Sequence, residues 1–114
     1  MNIVHLTDTT VAYMPARFVD LINRYTKHNA ALVQVRPFMF GNPLNIKSYN
    51  APEDVSLLLE KADVLHFHGS TIFEREAVGK LDIKPWLHKP HVLHYHGSPQ
   101  REAPARYQRP RETL

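Results

Sequence analysis

One seven-residue segment occurs twice, and this repetition constrains the fold more than any other feature of the chain. Val64–Ser70 reads VLHFHGS and Val92–Ser98 reads VLHYHGS, with six of seven positions identical and a spacing of 28 residues. Each copy is an apolar run that ends in two histidines, a glycine and a serine. Residues two apart on a strand share a face, and glycine allows a sharp turn after them. The repetition therefore predicts two strands whose carboxyl ends each present a pair of imidazoles.

Strands and amphipathic helices alternate along the sequence. The predicted strands cover residues 3–7, 31–35, 63–68 and 91–96. The first helix has an apolar stripe at i, i+3, i+4 and i+7, made by Phe18, Leu21, Ile22 and Tyr25. The second begins at Pro52, and Thr71 with Glu74 forms a capping-box pattern for a third that runs to about Leu81. The order β-α-β-α-β-α-β predicts an α/β, Rossmann-like open parallel sheet with helices on both faces.

Length and composition indicate one globular domain followed by a tail. The 114 residues divide into a Rossmann-like domain at 1–98 and a Pro/Arg-rich tail at 99–114, expected to be extended or partly disordered. We expect no nucleic-acid partner, because the net charge is only +3 and the tail carries much of it. The chain has no cysteine, export signal or long apolar run, which favours a cytoplasmic protein with no integral membrane segment.

The paired histidines admit three interpretations. His66, His68, His94 and His96 could line a sugar or phosphate cleft, since imidazole both donates and accepts hydrogen bonds. They could chelate zinc if the two strands are neighbours, or they could be ordinary packed residues of the sheet. His68 and His96 lie nearest the strand ends and are the favoured cleft residues.

Other polar groups follow the same strand ends. Gly69, Ser70, Gly97 and Ser98 stand where free amides at a helix start can bind an anion, although helix capping explains the serines equally simply. Asp8 ends the first strand and is a candidate base or sugar ligand, or it only caps the loop that follows. Arg101 follows the second repeat and suits a phosphate, or belongs to a solvated tail.

Three segments resemble the N-terminal half of a GT-B glycosyltransferase of the group 1 (family 4-like) kind. These are the Ile3–Leu6 strand with the helix that follows it, the segment Ala62–Gly69, and Lys89–Gly97. In the family, a Lys-Pro strand that ends in His-Gly contributes its histidine to the cleft, which here corresponds to His96. The glycine pair usual in the family's first loop is absent from residues 7–12.

The resemblance implies sugar transfer from an activated nucleotide sugar to an acceptor, with this chain as the acceptor-side half. His96 and Asp8 would be catalytic, and no cofactor or essential metal is expected. Activity would require a second, donor-binding domain. The implied partners are a nucleotide sugar or sugar acceptor, and a second glycosyltransferase domain or another copy of the chain. Two alternatives remain: a non-catalytic interaction or self-association module on the same fold, and a small His-rich metal-binding α/β protein.

Overall fold

The computed structural model describes residues 1–8, 14–36 and 46–94, and a parallel β-sheet organises this part of the chain. The elements follow in the order β1 (Asn2–Thr7), α1 (Met14–Tyr25), β2 (Asn29–Gln34), β3 (Ser48–Tyr49), α2 (Pro52–Lys61), β4 (Val64–His68), α3 (Thr71–Arg75), β5 (Ala77–Val78), β6 (Leu81–Asp82), a 3-10 helix (Lys84–Trp86) and β7 (His91–His94). The predicted α/β, Rossmann-like class is confirmed.

The main sheet has the strand order β3-β2-β1-β4-β7, and every neighbouring pair in it is parallel. From β1 the chain moves outward through β2 and β3, then returns to β4 on the other side of β1. The order therefore reverses between β1 and β4. In open α/β sheets, ligands bind outside the carboxyl ends of the strands at such a reversal.

The two faces of the sheet bury different sets of side chains. On one face, Leu6 and Phe67 pack with Val55 and Leu59 of α2, and all four are fully buried. Complete burial of one such side chain stabilises the fold by about 1.5–3 kcal/mol. The opposite face carries α1 in a smaller cluster made by Ala16, Val19 and Leu32. Helices thus cover both faces, as predicted, but the larger apolar core lies on the α2 side.

The orientation of α1 differs from the predicted one. The buried residues of this helix are Pro15, Ala16 and Val19, whereas Leu21 and Tyr25 are 51% and 74% exposed. Small side chains at 16 and 19 let the helix approach the sheet closely. The predicted apolar stripe was therefore only partly right, because Leu21 and Tyr25 lie outside the surface of the helix that contacts the sheet.

The chain between β4 and β7 also departs from the prediction. The third helix ends at Arg75, not near Leu81, because Glu76 adopts a left-handed conformation with φ 54°. A two-residue turn then joins the antiparallel strands β5 and β6, and Gly79 takes φ 58° in that turn. Glycine at the first central position of a two-residue hairpin turn is favoured because it has no Cβ to oppose positive φ. A small hairpin therefore replaces the last turns of the expected helix.

The remaining boundaries are close to those expected. The second strand begins two residues earlier, at Asn29, and a two-residue strand that was not among the predicted strands lies at Ser48–Tyr49. Helix α2 starts at Pro52 as predicted, with Ala51 at its N-cap. The last strand matches the prediction through His94, and the rest of the predicted strand lies outside the described residues.

Lys89 connects α2 to the start of β7. Its Nζ donates hydrogen bonds of 2.8, 2.7 and 2.9 Å to the carbonyl oxygens of Leu59, Glu60 and Ala62. These carbonyls lie at the end of α2, where Leu59 also accepts the N–H of the C-cap residue Ala62. Helix ends leave carbonyls short of partners, and the helix dipole favours a cation there. Lys89 is therefore a structural residue that holds the start of β7 against the end of α2.

Among the described helices, none has the length and apolar character required to span a bilayer.

Candidate functional site

Four histidines gather on the α1 face of the sheet, near the carboxyl ends of three adjacent strands. His5 comes from β1, His66 and His68 from β4, and His94 from β7. The strand register sets His5 beside His66 and His68 beside His94. Because side chains alternate along a strand, all four rings lie on one side of the sheet. We call these four residues the histidine cluster.

The rings of the histidine cluster are in direct contact. The His66 and His68 rings stack with centroids 4.3 Å apart and an interplanar angle of 1°. His5 Nδ1 lies 2.8 Å from His68 Nε2, a hydrogen-bond distance, and His66 Nε2 lies 3.4 Å from His94 Nδ1. The predicted approach of the two histidine strands is thus found. The contact between β1 and β4, through His5, is shorter than the contact between the two repeats.

Phe18 of α1 packs beside the histidine cluster. Its ring centroid lies 5.6–6.2 Å from those of all four histidines. The aromatic side chain closes the cluster where α1 overlies β1. His5 is fully buried and His68 is 7% exposed, whereas His66 and His94 are only partly buried. The cluster therefore has a buried inner pair and a more accessible outer pair.

The environment of His5 keeps its imidazole neutral. Removal from water, together with the positive charges that His66 and His94 can carry, lowers the pKa of His5 to about 3. His5 Nε2 is buried and has no hydrogen-bond partner among the described residues. A buried polar atom without a partner is costly and uncommon in a native protein. The inner end of the cluster thus holds a neutral imidazole with one unused ring nitrogen.

Asp8 lies apart from the histidines in a separate small cavity. It follows β1 and contacts Arg36, with Asp8 Oδ2 and Arg36 Nη2 3.7 Å apart. It also lines a cavity of about 60 Å³ with Thr71 and Arg75, and no histidine is among the described lining residues of that cavity. Its predicted place at the carboxyl edge is found, but the structure does not join it to the histidine cluster.

Gly69 and Ser70 connect the end of β4 to α3. Gly69 has φ 78°, and its N–H donates a 2.7 Å hydrogen bond to the carbonyl of His94. Ser70 occupies the N-cap position but makes no side-chain capping bond, so the predicted cap is not formed. Its Oγ is buried without a partner among the described residues. With only five residues in α3, these backbone amides do not make an extended helix terminus.

Several predicted site residues lie outside the described part of the chain. They are His96, Gly97, Ser98 and Arg101. Their expected roles as cleft histidine, turn, anion site and phosphate ligand stay predictions, as does the tail at 99–114.

Sequence reasoning missed His5. The only signal available was a histidine at the centre of an apolar strand, with Val4 and Leu6 on either side and Thr7 two positions later. Such a histidine lies on the same face of the sheet as alternate residues of the strand that pairs with β1. Only the strand order shows that this neighbour is β4, which carries His66 and His68.

The fold and the site together define a Rossmann-like α/β domain with a histidine cluster at the reversal of its strand order. Comparison of the chain with models of protein families, with curated proteins and with solved structures gives no match. Function is therefore inferred from the site itself.

Proposed function

We propose that this chain is the acceptor-side half of a cytoplasmic glycosyltransferase of the GT-B type, which transfers sugar together with a second domain. One observation carries the proposal: the histidine cluster lies at the carboxyl ends of β1, β4 and β7, beside the reversal of strand order. This is where open α/β sheets bind their ligands. The resemblance of the Lys89–Gly97 segment to the family supplies the choice of sugar transfer.

The outer histidines are the groups best suited to meet a ligand. His66 and His94 are partly exposed, and a neutral imidazole can donate to one sugar oxygen and accept from another hydroxyl. His68 is positioned behind them by its hydrogen bond to His5. A neutral, buried His5 holds that ring without adding a charge beneath the ligand. His5 is thus a positioning residue in this proposal.

The reaction would join an acceptor hydroxyl oxygen to the sugar's anomeric carbon while the bond from that carbon to the donor diphosphate breaks. The hydroxyl proton has to leave to a base, and the diphosphate carries away the bonding electron pair. The family resemblance assigns cleft contact to His96, and Asp8 remains the other predicted catalytic group. The nucleotide would be held mainly by the second domain, so this chain alone binds weakly.

An NMR titration of the full chain with a nucleotide sugar, and separately with the free monosaccharide, tests the proposal. The expected result is a saturable shift of the backbone amides of His66, Gly69, Ser70 and His94. His66→Ala should abolish the shifts, and His88→Ala, at an exposed histidine, should leave them unchanged. Unmoved signals at millimolar concentrations of both ligands would reject this function.

A second candidate is an interaction module on the same fold, favoured by the apolar surface beside the histidine cluster. Val92 of β7 is 49% exposed, and Leu21 and Tyr25 extend the same edge of α1 as Phe18 at helical spacing. Contiguous exposed apolar surface is typical of partner sites. Light scattering tests self-association: a dimer that Val92→Lys dissociates supports this candidate, whereas a monomer at high concentration rejects a homo-oligomeric role.

A further inference from the structure

The histidine cluster has the composition of a transition-metal site. One ring nitrogen from each of His5, His66 and His68 can be chosen so that all three lie within 4.8 Å of one another. Neutral imidazole is a preferred ligand of zinc, copper and nickel in proteins. The three residues come from two adjacent strands of a rigid sheet, so their backbones are already in place. We propose that His5, His66 and His68 form a zinc-binding site.

The distances require only small changes in the side chains. In a tetrahedral zinc site, with Zn–N bonds of about 2.0–2.1 Å, two ligand nitrogens lie roughly 3.3 Å apart. His5 Nδ1 and His68 Nε2 are 2.8 Å apart, and a metal bound to both atoms would replace the hydrogen bond that joins them. The widest separation allowed in the group, 4.8 Å, must close by roughly 1.5 Å. Rotations about χ1 and χ2 on fixed strands can supply that movement.

The unused nitrogen of His5 is the second observation in favour of a metal. His5 is completely buried, yet its Nε2 has no described partner. An apolar side chain of similar size would fill this position without the cost of desolvating a polar atom. His5 can offer either ring nitrogen to a metal, and a cation bound at Nε2 would give this atom the partner that it lacks. Such a cation accounts for the presence of histidine there. Simple packing of the sheet surface does not.

The proposed site has an open side. Phe18 covers one flank of the rings, while His66 is partly exposed and stands next to His94. Three protein ligands leave one position of a tetrahedral metal for an outside ligand, which is the arrangement of catalytic rather than structural zinc. The site thus supplies three protein ligands to a zinc ion, and a fourth position would remain for an outside ligand.

Zinc binding to the full, chelator-treated chain can be measured by competition with a chromophoric chelator, without any nucleotide sugar. We expect one zinc per chain and an affinity at least ~100-fold lower in His66→Asn, which removes the most accessible ligand. His88→Asn is the matched control, since His88 is exposed and lies outside the cluster; it should bind as the wild type does.

A measurement on the wild-type protein tests the site even if the variants do not fold. Nitrogen-15 spectra of the imidazoles should show the ring signals of His5, His66 and His68 move together at one equivalent of zinc. Those of His28 and His88 should stay in place. Absence of binding, or zinc uptake that His88→Asn weakens as much as His66→Asn does, would overturn the site. Because no sugar ligand is present, this result is independent of the proposed sugar transfer.

Discussion

Acidification should destabilise this protein through His5. With a pKa of about 3 in the folded state and 6.5 in the unfolded chain, His5 takes up a proton more readily when the protein unfolds. Its contribution to stability is therefore complete above pH 6.5 and is lost progressively as the pH falls toward 3. The groups that face it are His66 and His68 on β4, His94 on β7 and the uncharged ring of Phe18 on α1.

The size of the effect follows from the two pKa values. Each pH unit between them corresponds to about 1.4 kcal/mol, so lowering the pH from 7 to 5 removes about 2 kcal/mol through His5 alone. That is a large part of the 5–15 kcal/mol that stabilises a typical domain. For a domain of this size it corresponds to a fall in the melting temperature of roughly 10 °C.

Urea denaturation at pH 7 and pH 5, in the presence of a chelator, measures this loss for the wild type and two variants. In His5→Asn the side chain still offers a polar group near the position of Nδ1 but cannot titrate. We expect this variant to lose about 2 kcal/mol less than the wild type over the same interval. His88→Asn, which alters an exposed histidine, should behave as the wild type.

The comparison is between pH dependences, so it holds even if His5→Asn is less stable at both pH values. Equal losses in the wild type and in His5→Asn would refute the reasoning, because the proton uptake would then belong to other groups. A shallower dependence in His88→Asn than in the wild type would contradict it as well, because a histidine outside the cluster would then account for part of the loss.

Three further predictions concern stability, each measured by urea denaturation at pH 7. Lys89→Met should cost about 2 kcal/mol because the carbonyls of Leu59, Glu60 and Ala62 at the end of α2 lose the ammonium donor, whereas Lys80→Met, at an exposed position, should cost less than 0.5 kcal/mol; equal effects would refute the capping role. Gly69→Ala should cost about 1–2 kcal/mol from its φ of 78° alone, since an added Cβ meets no atom within 4 Å; a neutral effect would show that the turn relaxes. Glu76→Gly should stabilise by about 0.5–1 kcal/mol by relieving the left-handed φ of 54°, and a loss of stability would show that the Glu76 side chain contributes more than its strain costs.

The repeated segment was the strongest guide to the fold, and its two main consequences are confirmed. The described part of each copy lies in a parallel strand, and β4 and β7 are neighbours with His68 beside His94. Local chemistry decides the strands themselves, because the valine and the aromatic residues of these runs favour strands and Gly69 supplies the turn. That β4 and β7 are neighbours is a property of the tertiary structure. The predicted length of the third helix was wrong: a helix starts at Thr71 as expected, but it ends at Arg75 and a hairpin with Gly79 in its turn follows.

The orientation of α1 shows why periodicity alone is insufficient. Apolar residues occur around more than one side of this helix, so spacing is compatible with several buried faces. The face with Ala16 and Val19 packs on the sheet because small side chains allow the closest approach, and Phe18 is left to contact the histidines. The packing of α1 against the sheet, and not the residue pattern of the helix alone, decides which face is buried.

The sequence by itself determined the alternation of strands and helices, the two histidine-bearing strand ends and the polar edge where they finish. Those properties depend on periodicity and turn residues, which act within a few positions of the chain. Only the tertiary structure decided that β1 lies beside β4, and so brought His5 within 2.8 Å of a residue 63 positions away. Strand order depends on how all the crossovers pack on the sheet together, and no short segment carries that information.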